Sequence, residues 1–194
     1  MQEHDACSAW PRLYGELRRT RARRVKGTVL LAFISLQRAV ELAIASRNTR
    51  ALRRRGAYEV AAGHYPAMVA LHASWLAMLW VRGRHRCVLP LFLGLFFGLQ
   101  LGRVWVLATL RERWTTRIML LPAAPPVVTG PYRFVRHPNY VIVALELPCV
   151  ALALGLRRLA LIFGGANLAM LGWRMRCENR AFADAERTPR DDLL

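Results

Sequence analysis

Residues 129–146 read TGPYRFVRHPNYVIVALE and bring Tyr132, Arg133, Arg136, His137 and Tyr140 close together. Imidazole, guanidinium and phenol groups offer hydrogen-bond donors, an anion partner and a group able to move a proton near neutral pH. Gly130-Pro131 marks a turn and Pro138 disfavours helix at His137, so these side chains crowd where an apolar run opens at about Asn139. A plainer reading is that Arg and Tyr anchor a helix at a membrane interface and His137 caps it. A second pair comes late: Arg174 and Glu178 stand four apart and share one helix face. Glu41, Glu146, His64 and His72 fall within or beside apolar runs. Ionisable groups there are costly and default to a functional reading, all four as candidate general bases with the two carboxylates preferred. For Glu41 the competing reading is a pair with Arg38, three residues away; for Glu146 it is a hydrogen bond between helices. The two histidines are more often satisfied core or interface groups. Cys7, Cys87, Cys149 and Cys177 show no C-x-x-C and no Cys/His ligand spacing, so neither a metal site nor a disulfide framework is expected.

The elements that must carry these groups are apolar. Hydrophobic residues make up 55% of the 194, yet the net charge is +17. A soluble basic domain would rarely hold several long apolar runs, and the composition excludes disordered, collagen-like and disulfide-stapled chains. A bilayer core about 30 Å thick needs about twenty helical residues. Residues 28–46, 65–81, 87–110, 139–156 and 158–173 meet or approach that length, the last two forming a hairpin about Arg157-Arg158. The expected fold is all-α, a multi-pass membrane protein with about five transmembrane helices. Of the 29 basic residues only Lys26 is lysine, and they fall between the apolar runs. That pattern fits anchoring at lipid headgroups rather than nucleic-acid binding. Residues 1–26 lack an apolar signal core, so the first span is expected to be kept, preceded by a basic arm lying on anionic headgroups. Residues 183–194 read as a polar tail. Five spans put the termini on opposite sides, with twelve basic residues on the N-terminal side and fifteen on the other. The richer side, holding 111–138 and the tail, is expected to be cytoplasmic. Gly94, Gly98 and Gly102 form overlapping G-x-x-x-G steps, expected mainly to pack helices within the chain.

Tyr132, the string Arg136-His137-Pro138-Asn139-Tyr140 and the late Arg174-x-x-x-Glu178 resemble the isoprenylcysteine carboxyl methyltransferase family. The upstream SLQRAVELAIASRN and GAYEVAAGHYPAMVALH further resemble a bacterial branch associated with type III polyketide synthases, whose members methylate alkylresorcinols or alkylpyrones. The resemblance covers about residues 30–182. It implies an integral-membrane enzyme over residues 27–182 that uses S-adenosylmethionine to methylate an oxygen on a lipophilic or prenylated acceptor. It assigns Tyr132, His137, Pro138, Asn139, Tyr140 and Glu178 to the cofactor pocket, with a further contact around Val127, and points Arg174 at the acceptor. Two positions depart from the family pattern: PAAPPVV replaces a polar stretch before Tyr132, and Asn179 stands where many members carry a second Glu.

The residue chemistry agrees with that assignment. One carboxylate, aromatic rings and a histidine suit a sulfonium, an amino-acid zwitterion and ribose hydroxyls. A carboxylate acceptor is already ionised at neutral pH, whereas a phenolic hydroxyl with pKa of about 10 is helped by a base, for which Glu146 or Glu41 is the candidate. Two other functions compete. A sterol-reductase-like NADPH enzyme would use Arg133, Arg136 and Arg176 for the 2′-phosphate. A non-enzymatic membrane partner would use the Gly94/Gly98/Gly102 face.

Overall fold

The computed structural model of the protein describes residues 26–187 apart from 123 and 126. The described residues are mostly helical, as expected. Helix α1 spans Gly27–Arg54, α2 Tyr65–Gly83, α3 Pro90–Leu110, α4 Pro138–Ala153 and α5 Arg157–Arg187. Proline stands in the first turn of α2, α3 and α4, where its missing N–H costs nothing and its fixed φ favours the helix. Gly56 (φ +84°) and Gly155 (φ +69°) lie just beyond the ends of α1 and α4. A two-stranded antiparallel ribbon, β1 (Tyr58–Glu59) with β2 (Met119–Leu120), ties the α1–α2 loop to the α3–α4 loop.

Two helices outrun their expected spans. α1 continues past 46 because Ala51, Leu52 and four arginines of 47–54 are good helix formers, with no Gly or Pro until Gly56. α5 continues past 173 through the polar stretch to Arg187, into the residues read as a tail. At about 1.5 Å per residue its 31 residues are longer than a bilayer core is thick. The basic arm read over 1–26 lies outside the described residues apart from Lys26, as does the tail beyond 187.

Successive helices alternate in direction. Gln37 meets Gln100 and Glu41 meets Arg103, so α1 and α3 run side by side in the same sense. Cys149 bonds the carbonyl of Phe92 (3.3 Å) and Arg103 meets Glu146, so α4 runs against α3. Asn167 bonds the Val143 carbonyl (3.2 Å) while Arg174 reaches Tyr140, so α5 runs against α4. The α1–α2 loop, the α3–α4 loop and the late turns of α5 therefore share one end. The core lies toward the other end, around Leu31, Ile34, Trp75, Leu79, Phe96, Leu147, Val150 and Leu154.

Outward faces are greasy: Leu101 is 75% exposed and Leu161 77%. Two helices, Gly27–Arg54 and Pro90–Arg113, are long and apolar enough to cross a membrane, and only 28% and 17% of their apolar windows are buried within the protein. Core helices of a soluble domain would be mostly covered. The expected packing role for the α3 glycines is corrected in part. A Cβ at Gly102 would touch Ile142 of α4 at 3.4 Å, but nothing lies within 4 Å of Gly94 or Gly98.

Candidate active site

Four side chains, His137 just before α4 and three others on α4 and α5, meet at the end shared by the loops. Pro138 starts α4 and holds His137 outside it, at φ −130° and ψ 66°, as the residue constraint before proline requires. His137 occupies the N-cap position, but its side chain makes no capping bond. Its ring instead stacks on Tyr140, with centroids 5.1 Å apart and planes 7° from parallel. On α5, Arg174 and Glu178 lie one turn apart and both reach Tyr140. Arg174 Nε donates to the Tyr140 hydroxyl (2.9 Å), and that hydroxyl donates to Glu178 Oε2. Buried Arg174 also donates from Nη1 to the Thr116 carbonyl (2.6 Å) and to Met68 Sδ (3.2 Å). One guanidinium thus bridges α2, α4, α5 and the α3–α4 loop. An oriented cation and an anion held on one phenol form a dipolar site at which a zwitterion and an oxygen nucleophile can be kept apart yet adjacent.

The remaining expected cofactor residues flank this group. Asn139 follows Pro138, and its Oδ1 is buried without a hydrogen-bond partner. Tyr132 sits in the 3-10 turn Gly130–Arg133, against the cluster of Ala45, Val106, Trp114 and Ile142. Burial, and then the negative charge of Glu178, pushes its phenol up to about 12, so it stays a hydrogen-bond donor at any physiological pH. The turn depends on Gly130, which has φ +60° and no room for a Cβ beside Thr109. Val127 lines a neighbouring cleft of about 560 Å³ together with Arg55, Arg111, Arg113 and Thr129. Arg113 holds that loop by donating to the Pro125 carbonyl (2.7 Å).

The structure separates Glu41 and Glu146 from this group and joins them to each other. Glu146, 0% exposed, is ion-paired with Arg38 (2.5 Å) and accepts from Arg103 and from Gln100 (3.0 Å). Glu41 pairs with Arg38 (2.6 Å) and faces Arg103 (3.4 Å). The expected Arg38–Glu41 pair is present as half of a four-membered charge cluster among α1, α3 and α4. Glu146 lies nearly two turns along α4 from Tyr140. Both carboxylates, expected as candidate general bases, are engaged by guanidinium groups carried on α1 and α3. Arg103 and Gln100 interrupt the strongest apolar run, but the sequence names no partner for either. His72 Nδ1 contacts the Met68 carbonyl (2.9 Å), and His64 Nδ1 contacts that of Ala61 (2.6 Å). Arg133, Arg136 and Arg176 are exposed, and Arg133 lies over the Phe134 ring at 4.3 Å. No group of three or more potential metal ligands occurs among the described residues.

Comparison with known proteins bears on this arrangement. The family model for isoprenylcysteine carboxyl methyltransferases matches residues 92–184, which contain the whole Tyr140, Arg174 and Glu178 group. An uncharacterized protein of Bacillus subtilis strain 168, YpbQ, is 30% identical over 161 residues, covering 80% of this chain and 96% of the relative. No solved structure matches.

Proposed function

The chain belongs to the isoprenylcysteine carboxyl methyltransferase family, and on that premise we propose that it transfers a methyl group from S-adenosylmethionine to an oxygen of a lipophilic acceptor within the membrane. The observation that carries this reading is the bridge made by Tyr140 between Arg174 and Glu178.

The residues fit the cofactor. Glu178 suits its ammonium or ribose hydroxyls, the unpartnered Oδ1 of Asn139 invites a donor, and the stacked His137 and Tyr140 offer aromatic surface beside a cation. Backbone groups at Val127 and Tyr132 complete the donor side, next to the cleft behind 127–129. When bound, S-adenosylmethionine supplies an electrophilic methyl group. Arg174 is held by Thr116 and Tyr140 with its charge toward the acceptor side, where it orients an oxygen and stabilises negative charge on it. The α3–α4 loop meets the group through the Thr116 carbonyl. Most of the rate then comes from positioning two reactants in line.

In this reading residues 27–182 act as one membrane-embedded unit with five spans, and the loop end faces the cytoplasm where the donor is made. The acceptor, an isoprenylcysteine carboxylate or an alkylresorcinol- or alkylpyrone-type hydroxyl, enters laterally from the bilayer. Glu41, Glu146, Arg38 and Arg103 serve as the ionic tie that holds α1 to α3 and α4. The reductase reading is less well supported, because Arg133 and Arg136 are exposed and Arg133 packs on Phe134 rather than gathering around one point.

Calorimetry of the purified protein in nanodiscs tests the cofactor. S-adenosylhomocysteine is expected to bind and NADPH is not; Glu178→Gln weakens that binding about tenfold, consistent with losing one charge-assisted bond. Binding of NADPH with none of S-adenosylhomocysteine refutes the proposal.

A further inference from the structure

His64 has an ordered ring that nothing above employs. It is 2% exposed, its Nδ1 lies 2.6 Å from the Ala61 carbonyl, and its Nε2 is buried without a partner. The contact with a carbonyl fixes the tautomer: Nδ1 carries the proton, and Nε2 presents a lone pair. Ala61 is held in the left-handed region (φ 51°) to aim that carbonyl, a strained conformation for a residue with a side chain. An orphaned acceptor in an apolar setting is expensive unless something arrives to use it.

Its position supplies the use. His64 lies one turn before Met68, whose sulfur receives Arg174. Across from it on α5, the ring of Trp173, beside Arg174 in the chain, stands edge-on at 6.4 Å. Imidazole and guanidinium therefore flank the same seam between α2 and α5. Trp173 is 46% exposed, so this side of the seam faces outward. The two buried carboxylates are engaged by arginines, whereas Nε2 of His64 has no partner. We propose that His64 is the general base of the reaction and that the acceptor is accordingly a weakly acidic hydroxyl, phenolic or enolic, rather than a carboxylate. The inference rests on the methyl-transfer reading. As the oxygen–methyl bond forms and the sulfur–methyl bond breaks, the hydroxyl proton passes to Nε2, leaving an imidazolium and neutral S-adenosylhomocysteine; the proton then leaves to water. A carboxylate needs no such acceptor, being ionised already.

The test uses His64→Asn in the full chain, because the Asn amide can still donate to the Ala61 carbonyl while Nε2 is removed. Thermal melting and S-adenosylhomocysteine binding are expected to match the wild type. Methyl transfer to a long-chain alkylresorcinol falls about a hundredfold, the usual worth of a positioned base. A more acidic acceptor, an alkylated nitrophenol, recovers most of that loss. Independently of turnover, the nitrophenol bound beside S-adenosylhomocysteine shows phenolate absorbance with the wild type and loses it with His64→Asn. Unchanged transfer to the resorcinol in His64→Asn overturns the proposal, as does a wild type that methylates a farnesylcysteine analogue and no hydroxyl. Failure of the wild type to bind S-adenosylhomocysteine overturns the methyl-transfer reading itself, and the assignment of His64 with it.

Discussion

Tyr140 is the hinge of the account at the residue scale, since its hydroxyl accepts from Arg174 and donates to Glu178. Tyr140→Phe keeps the ring on His137 and removes both bonds. A charged partner left without its bond costs about 2 kcal/mol, which corresponds to roughly a thirtyfold loss of kcat/KM with little change in melting temperature. The two charges divide by role: Glu178→Gln raises the apparent KM for the methyl donor, and Arg174→Gln raises that for the acceptor. Steady-state kinetics with each substrate varied in turn separates them. Tyr132 offers a pH test. Its folded pKa of about 12 lies above the ordinary value of 10, so the fold holds its proton longer than the unfolded chain does. The stability it contributes is fully present below about pH 10 and is lost as pH rises toward 12. Ultraviolet difference titration of the wild type against Tyr132→Phe should show one phenol titrating near 12, and a midpoint near 10 contradicts the burial described.

At the element scale two connections carry the site. The Gly130–Arg133 turn exists only with glycine at 130, where φ is +60° and Thr109 fills the space of a side chain. Gly130→Ala is expected to cost about 1–3 kcal/mol of strain and to displace Tyr132, with activity falling more than melting temperature. The cluster of Arg38, Glu41, Arg103 and Glu146 is the second connection. Glu146→Gln leaves two guanidiniums facing one carboxylate and should destabilise the protein by about 3–5 kcal/mol, read as a large drop in melting temperature in detergent. Much of this scale is legible in the sequence. Prolines 66, 90 and 138 and the length of each apolar run mark where four helices begin, and the four-residue spacing of Arg174 and Glu178 puts both on one face. The cluster is not legible in full. Arg38–Glu41 is local, but Glu146 and Arg103 join it only through the register of α1 against α3 and α4, which no local pattern specifies. The ribbon of 58–59 with 119–120 is hidden likewise, since two-residue strands have no period to read. The orphaned Nε2 of His64 follows from packing between α2 and α5, not from its neighbours in sequence.

The whole molecule is a bundle whose longer loops, most of its arginines and the candidate site lie at one end, while its sides are apolar. Among the described residues the site end holds Arg47, Arg50, Arg53, Arg54, Arg55, Arg111, Arg113, Arg117, Arg133, Arg136 and the arginines of late α5, whereas the opposite end holds Lys26, Arg82, Arg84, Arg86, Arg157 and Arg158. Cation-rich loops stay on the cytoplasmic side. Single cysteines placed at 85 and at 128 in a variant freed of its native thiols should label with an impermeant maleimide from opposite faces, position 128 from the cytoplasm; labelling of both from one face contradicts the five-span arrangement. The central claim is that this end transfers methyl groups through Tyr140, Arg174 and Glu178. Its most direct test is transfer of labelled methyl from S-adenosylmethionine in nanodiscs, with an alkylresorcinol and a farnesylcysteine analogue offered together to wild type, His137→Ala and Glu178→Ala. The account predicts labelled product on the resorcinol from the wild type and little or none from either variant. Wild-type rates in Glu178→Ala, or no labelled lipid from a wild type that is folded and supplied with both acceptors, contradict it.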